Sequence, residues 1–400
     1  MLRWRKEDIA YCANVHPGIT AAAIEDHLKD ITCAVKHMGQ QPSMAAGLWI
    51  NENALLEYKN ETNKNRLIET LKELNLKAIT FNGFPQGNFH QKIVKTEVYT
   101  PTWAEDSRLN YTKALASLLS ECLPDDVDTG SISTLPLAYR NNWSGEAHQQ
   151  ACQQLMAFAA HAEIIHKNTG KQIRLCLEME PGCVLEKTDQ AIRFFTEDLK
   201  HYAARYGFPQ SLVDNYLGLC YDVCHQAVMR ETVRDSLNAI RQANIIIGKI
   251  QISSALCASF TEPDEYRKHL SSFAEAKYMH QCTAQNSETH YSDDLVDALQ
   301  KKAFLEANNW RIHYHLPIQS DRIIIGNQLV NGLSTTQHHI LEVLDALADF
   351  DYSPHLEIET YTWQVLPETL RPKNTQDLIQ GLHNERQWLI QALATRNLIQ

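Results

Sequence analysis

Residues 173–180 read IRLCLEME and residues 217–222 read LGLCYD. Both runs are short and almost continuously apolar instead of alternating, and each lies between helical signals. Strands of this kind are covered on both faces, the condition of parallel strands joined by helical crossovers. Similar runs occur outward in both directions, at residues 9–15, 45–50, 76–81, 131–135, 245–253 and 356–361. Helical periods separate them. One spans 146–167, with Leu155, Phe158, Ala159 and Ala162 on one stripe and Gly170 as its stop. Others span 189–202 and 336–347, and another starts near Asp293. Eight strand–helix units in 400 residues predict a (β/α)8 TIM barrel with long βα loops. No linker divides the chain, so we expect one domain over residues 1–400, with a helix at 375–394 packed on the barrel.

Two stretches fall outside the repeat. Residues 311–317 are strand-like and belong to an insertion between the seventh and eighth strands, where a short extra strand or hairpin is expected. Residues 81–106 have little periodicity and are rich in Gly, Asn, Pro and aromatics, the composition of a long functional loop. A doubly wound sheet is the competing fold, but NVHPG stands after the first strand where a dinucleotide-binding glycine motif would be.

Composition narrows the function. A net charge of −11 with no basic tail argues against a nucleic-acid partner. No apolar run approaches the roughly 20 residues that cross a bilayer, and Glu7 and Asp8 interrupt the N-terminus before any signal-like core. Ten cysteines in 400 residues are too dilute for a disulfide framework, and several sit in apolar strands. We therefore expect a cytoplasmic protein with reduced thiols, without membrane insertion, and a monomer. The motifs of P-loop kinases, serine hydrolases and c-type haem proteins are absent.

In a TIM barrel the site forms at the C-terminal ends of the strands. The fifth strand ends with Glu178 and Glu180, and the sixth with Asp222, followed by His225. The seventh carries Lys249 and Gln251, the insertion His313 and His315, and the eighth Glu357 and Glu359. His16, Asn82 and Ser133 follow or end earlier strands, and His90 lies in the long loop. A carboxylate inside an apolar strand is costly unless paired, hydrogen-bonded or metal-bound. Glu, Asp and His from different strands make an N/O donor set that suits Zn, Mn, Fe or Co. Buried salt bridges to Lys249 and Arg174 are the alternative.

LGLCYDVCHQAV resembles the Asp-x-x-His strand of the xylose-isomerase-like TIM barrels, which include sugar isomerases, epimerases and the endonuclease IV type of repair enzyme. In the endonuclease IV branch both residues are metal ligands, which implies that role for Asp222 and His225. Glu178 with Gly182, Glu359 with Thr360, and His313 with His315 match further ligand positions of that branch, with His313 where Asp is usual. The departures are Gln251, Asn82 and Ser133, which stand where that branch uses histidines, so its three-metal hydrolytic site is not assembled. Longer phrases, among them YCANVHPG, TFNGFPQGNFH, VKTEVYTPTW, SISTLPLAYR, LCLEMEPGC and LEIETYTWQVLP, resemble the metabolite-traffic protein E family of the ebo gene cluster, over about residues 9–395. That family is grouped with the same barrels, and its cluster is associated with making or moving a secondary metabolite or its precursor.

The resemblance implies a divalent-metal-dependent sugar or polyol isomerase or epimerase. The metal ligands expected are drawn from Glu178, Asp222, His225, Gln251, His313, His315 and Glu359, and they hold one ion, or two in the hydrolase alternative. Glu180, Lys249 and His225 are the candidate catalytic residues; His16, Asn82, His90 and Ser133 are the candidate substrate contacts. The partners expected are a small-molecule substrate and other proteins of the same pathway. The competing readings are a metal-dependent hydrolase of a phosphate or glycoside and a non-catalytic metabolite binder.

Overall fold

The structure, a computed structural model, describes residues 4–325 and 328–400. Eight parallel strands form the central sheet: β1 (Ala10–Tyr11), β2 (Met44–Trp49), β3 (Leu76–Asn82), β4 (Thr129–Thr134), β5 (Gln172–Glu178), β6 (Leu217–Asp222), β7 (Ile247–Ile252) and β8 (His355–Ile358). Their order is sequential from β2 to β8, with β1 next to β8. A parallel bridge from Cys12 to Gly47 joins β1 to β2 and closes the barrel. The closure depends on a residue without a side chain, because a Cβ at Gly47 would fall on the Glu357 carboxylate inside the barrel.

Helices cover the outside. The longest, Gly145–Thr169, starts at Ser144, whose side chain accepts from the Ala147 amide, and ends at Gly170 in the left-handed region. Its stripe of Leu155, Phe158, Ala159 and Ala162 is fully buried. The expected helix at 189–202 continues to Tyr206 through a wide turn at Phe194–Leu199. The segment near Asp293 folds instead as two short helices, Leu295–Ala298 and Lys302–Leu305. The C-terminal helix Thr375–Ala394 packs against the helix Cys33–Met38, and its Arg386 donates to the carbonyl of Ile9 at 2.9 Å. No described helix is long and apolar enough to cross a membrane. All ten cysteines are free thiols.

The insertion between β7 and β8 is larger than a hairpin. Its strands form a second, six-stranded antiparallel sheet, ordered Thr289–Ser292, Cys282–Gln285, Asn309–Ile312, Leu256–Ala258, Gln328–Thr335 and Arg322–Ile325. These strands are short and carry Thr, Gln, Asn and His, so neither a continuous apolar run nor a clean alternation marks them. The insertion and the barrel share one contiguous cluster of buried apolar side chains, with Trp310 and Ile312 joining Ile250 and Leu356. The His-x-His segment of the insertion is thereby anchored against the C-terminal ends of the barrel strands.

Candidate metal centre

Asp222 ends β6 and also caps the short helix Val223–Val228: its Oδ1 accepts the backbone N–H of His225 at 2.8 Å. This is the physical content of the Asp-x-x-His spacing. The side chain of an N-cap residue reaches the N–H three residues on, and the turn folds His225 back over the barrel mouth. Asp222 Oδ1 also accepts from Ser253 Oγ at 2.9 Å, while Oδ2 is buried without a partner.

Three histidines meet at this end of the barrel, His225 and His315 beside the carboxylate and His313 against them, each held through its Nδ1. His225 donates from Nδ1 to the Met179 carbonyl at 3.0 Å, His313 to Gln281 Oε1 at 2.7 Å and His315 to the Glu359 carbonyl at 2.8 Å. The acceptors are carbonyl oxygens, so Nδ1 carries the hydrogen in each ring and Nε2 presents a lone pair. His315 Nε2 is buried with no partner, 3.9 Å from the equally unpartnered Asp222 Oδ2. The Nε2 atoms of His225 and His313 face each other at 3.0 Å. Bare lone pairs at that distance need a shared cation. A ligand imidazole whose other nitrogen is tied to a carbonyl is the usual support of a metal site.

The carboxylates complete the arrangement. Four groups of three donors each have ligating atoms within 4.8 Å of one another: Glu178–Asp222–Glu359, Asp222–His225–His315, Glu180–His225–His313 and Cys224–His313–His315. Burial and the neighbouring Glu359, Asp222 and Glu180 carboxylates push Glu178 well above the usual carboxylate range. Burial, Asp222 and Glu357 do the same to Glu359. Burial and the neighbouring imidazoles of His225, His315 and His280 hold His313 well below the ordinary histidine value, and burial holds His315 at about 4. Crowded carboxylates and uncharged imidazoles are what a divalent cation relieves, so the donor set fits one.

Glu180 stands just past the strand end and accepts from Tyr99 Oη at 2.8 Å; burial raises its pKa to about 6. Gln281 donates to Tyr99 Oη at 2.7 Å while its oxygen holds His313, so one amide orients both the carboxylate and the imidazole. Asn14 donates to Glu359 at 2.7 Å, and His280 braces the His313 carbonyl at 2.8 Å. Sequence reasoning missed Tyr99, Gln281, His280 and Asn14. Tyr99 and Asn14 did stand in phrases already singled out, Tyr99 in the long loop and Asn14 in the first strand-like run, but neither was read as a site residue.

Several expected residues lie elsewhere. Lys249 does not face the cavity: it is fully buried inside the barrel, 2.8 Å from Glu357, the other β8 carboxylate. Asn82 donates to Glu357 at 3.0 Å and accepts from Lys249 at 3.1 Å, Ser133 at 2.8 Å and Gln251 at 3.0 Å. Asn82 and Ser133 are therefore spent on this inner network and line no part of the mouth cavity. Gln251 divides: its nitrogen serves Asn82, and its oxygen is buried without a partner. His16 meets Tyr11 Oη at 3.1 Å and packs on His27, apart from the cavity. His90 Nε2 bonds the Asn14 carbonyl at 2.8 Å, so it bears on Glu359 only through Asn14.

The cavity above the donors is small, about 60 Å³, and is walled partly by residues of the long loop and the insertion. A larger one, about 710 Å³, opens where β4, β5, β7 and β8 begin, beside Arg174 and His355, and contains none of the four donor groups.

No protein-family model and no curated protein matches the chain in sequence. Solved structures match it nearly end to end. L-ribulose 3-epimerase shares 13% identity, with 99% of this chain and 95% of that one covered and a TM-score of 0.52. A D-tagatose 3-epimerase-like protein shares 12%, with 97% and 98% covered and a TM-score of 0.49. A xylose isomerase domain protein from Planctomyces limnophilus shares 10%, with 98% of each covered and a TM-score of 0.48. The chain thus shares the α/β TIM-barrel fold of L-ribulose 3-epimerase.

Proposed function

We propose that this protein is a divalent-metal-dependent enzyme that moves a proton beside the carbonyl of a small hydroxycarbonyl compound, as an isomerase or epimerase does. The observation that carries this reading is the set of buried donors without partners, His315 Nε2 and Asp222 Oδ2, beside the facing Nε2 atoms of His225 and His313. Glu178, Asp222, His225, His315 and Glu359 would hold the ion, with His313 and the Gln251 oxygen at its edge. The ion when bound supplies Lewis-acid polarisation of the substrate oxygens.

The chain's own residues do the rest. Glu180, with a pKa near 6, is ionised at neutral pH yet close enough to neutrality to take and return a proton, the property of a general base. Tyr99 and Gln281 fix its carboxylate. The aromatic walls exclude water from the reacting carbon. Lys249, engaged by Glu357, has no part in the step. The resemblance to the ebo-cluster family suggests that the substrate is a secondary-metabolite precursor.

A metal-dependent hydrolase is the second reading, favoured by one observation. The donors separate into a carboxylate group, Glu178–Asp222–Glu359, and a second group, Glu180–His225–His313, so that two ions would find three ligands each. The test is carbon-bound deuterium incorporation, followed by NMR, when the Mn- or Zn-loaded protein meets dihydroxyacetone and 2-hydroxyacetophenone in D2O. Exchange next to the carbonyl that Glu180→Gln abolishes without loss of metal is expected. Release of phosphate or alcohol from ester or glycoside probes, with no exchange, would replace this reading with the hydrolase.

A further inference from the structure

The cavity over the donors has two chemically different halves, and the proposed proton transfer uses only the floor. Above it the walls are Phe84, Phe89, Val98, Tyr278, Met279 and Tyr361. Phe89 stacks on Tyr278 at 4.7 Å between ring centroids, and Tyr361 meets both edge-on, at 5.3 and 5.2 Å. Tyr361 also lies 4.7 Å from the ring of His315, so the aromatic group rests directly on the donors. Phe89 and Tyr278, with Trp49 and Val94, form an apolar cluster separate from the main core.

Of the polar groups that reach this cavity besides the donors, Tyr278 Oη and Asn14 Oδ1 are buried without partners, and Lys95 and Tyr99 are engaged. Lys95 Nζ bonds the Tyr278 carbonyl at 2.8 Å and Asp294 at 2.5 Å, and Tyr99 Oη lies between Glu180 and Gln281. The space that water can reach between these walls and the donors is small, about 60 Å³. A ligand held on the donors therefore lies against the rings of Phe89, Tyr278 and Tyr361. A flat apolar group can stack on those rings. An open-chain polyol would find Tyr278 Oη and Asn14 Oδ1 free to pair and would set its remaining hydroxyls against apolar faces.

We infer that the substrate carries an apolar planar substituent beside its chelating oxygens, which makes it an aryl-bearing hydroxycarbonyl compound instead of an open-chain sugar. The inference rests on the metal reading of the same site and narrows its substrate class. Three hydroxamates with one chelating head test it on the metal-loaded protein by titration calorimetry: acetohydroxamate, benzohydroxamate and gluconohydroxamate. Benzohydroxamate is expected to bind at least about tenfold tighter than acetohydroxamate, and gluconohydroxamate no tighter than acetohydroxamate. Phe89→Ser should erase most of the benzohydroxamate advantage while leaving acetohydroxamate unchanged. The wild-type comparison decides alone if that variant fails to fold. Equal binding of benzohydroxamate and acetohydroxamate to metal-bearing protein, or tighter binding of gluconohydroxamate, overturns the substrate class and leaves the metal reading standing. A protein that retains no metal and binds none of the three overturns both.

Discussion

Two groups of polar side chains share the interior of this barrel, and they solve the problem of burial in opposite ways. The inner group of Lys249, Glu357, Asn82 and Ser133 is closed on itself: the carboxylate has its ammonium at 2.8 Å, and the Asn82 oxygen accepts from three neighbours. The mouth group of Glu178, Asp222, His225, His313, His315 and Glu359 holds buried atoms with no partner and carboxylates crowded against each other. Both draw on the eight-stranded sheet, the mouth group adding His313 and His315 from the insertion, and Glu357 of one stands two residues before Glu359 of the other. Burial of charge alone therefore does not mark a functional site. What sets the mouth apart is that its unpartnered donors face one another.

The comparison breaks most visibly at Lys249. Lys249→Met leaves Glu357 as an uncompensated buried charge and should cost about 3–5 kcal/mol, read as a lower denaturant midpoint. Glu178→Gln in the metal-free protein is the matched comparison and should cost almost nothing, since burial and its neighbours already oppose the charged form of that carboxyl. Gly47→Ala comes next. The new methyl displaces the Glu357 carboxylate at the barrel seam, for an expected loss of about 2–3 kcal/mol.

A smaller effect depends on pH. Burial raises Glu180 from 4.5 to about 6, so the folded protein binds this proton more tightly than the unfolded chain. The resulting stability is fully present below pH 4.5 and is lost as pH rises through about 6. In metal-free protein the stability difference between wild type and Glu180→Gln should therefore shift by about 2 kcal/mol against the wild type from pH 4.5 to 7. A flat difference would contradict the burial of Glu180.

The barrel was legible because its strands carry their own signal: six-residue runs such as LGLCYD need no partner to be recognised. The convergence of donor side chains at the mouth was legible for a related reason. Asp222 and His225 are linked by a local cap, and His313 and His315 share one short segment. What the sequence did not reveal depends on pairing across the fold. Nothing local distinguishes Glu357 from Glu359, yet one neutralises Lys249 and the other borders the cavity. Gln281 orients His313 and Tyr99 from a polar strand edge that has no pattern of its own, and the six-stranded sheet of the insertion escaped notice for the same reason.

The most direct test of the central claim is the metal content of untagged protein purified without chelator, measured by mass spectrometry for wild type, Glu178→Gln and Asp222→Asn, with circular dichroism to follow the fold. The account predicts about one equivalent of Zn, Mn, Fe or Co in the wild type, lost in both variants while the folded spectrum persists. A wild type that holds no divalent ion even after reloading, or variants that keep it undiminished, would contradict it.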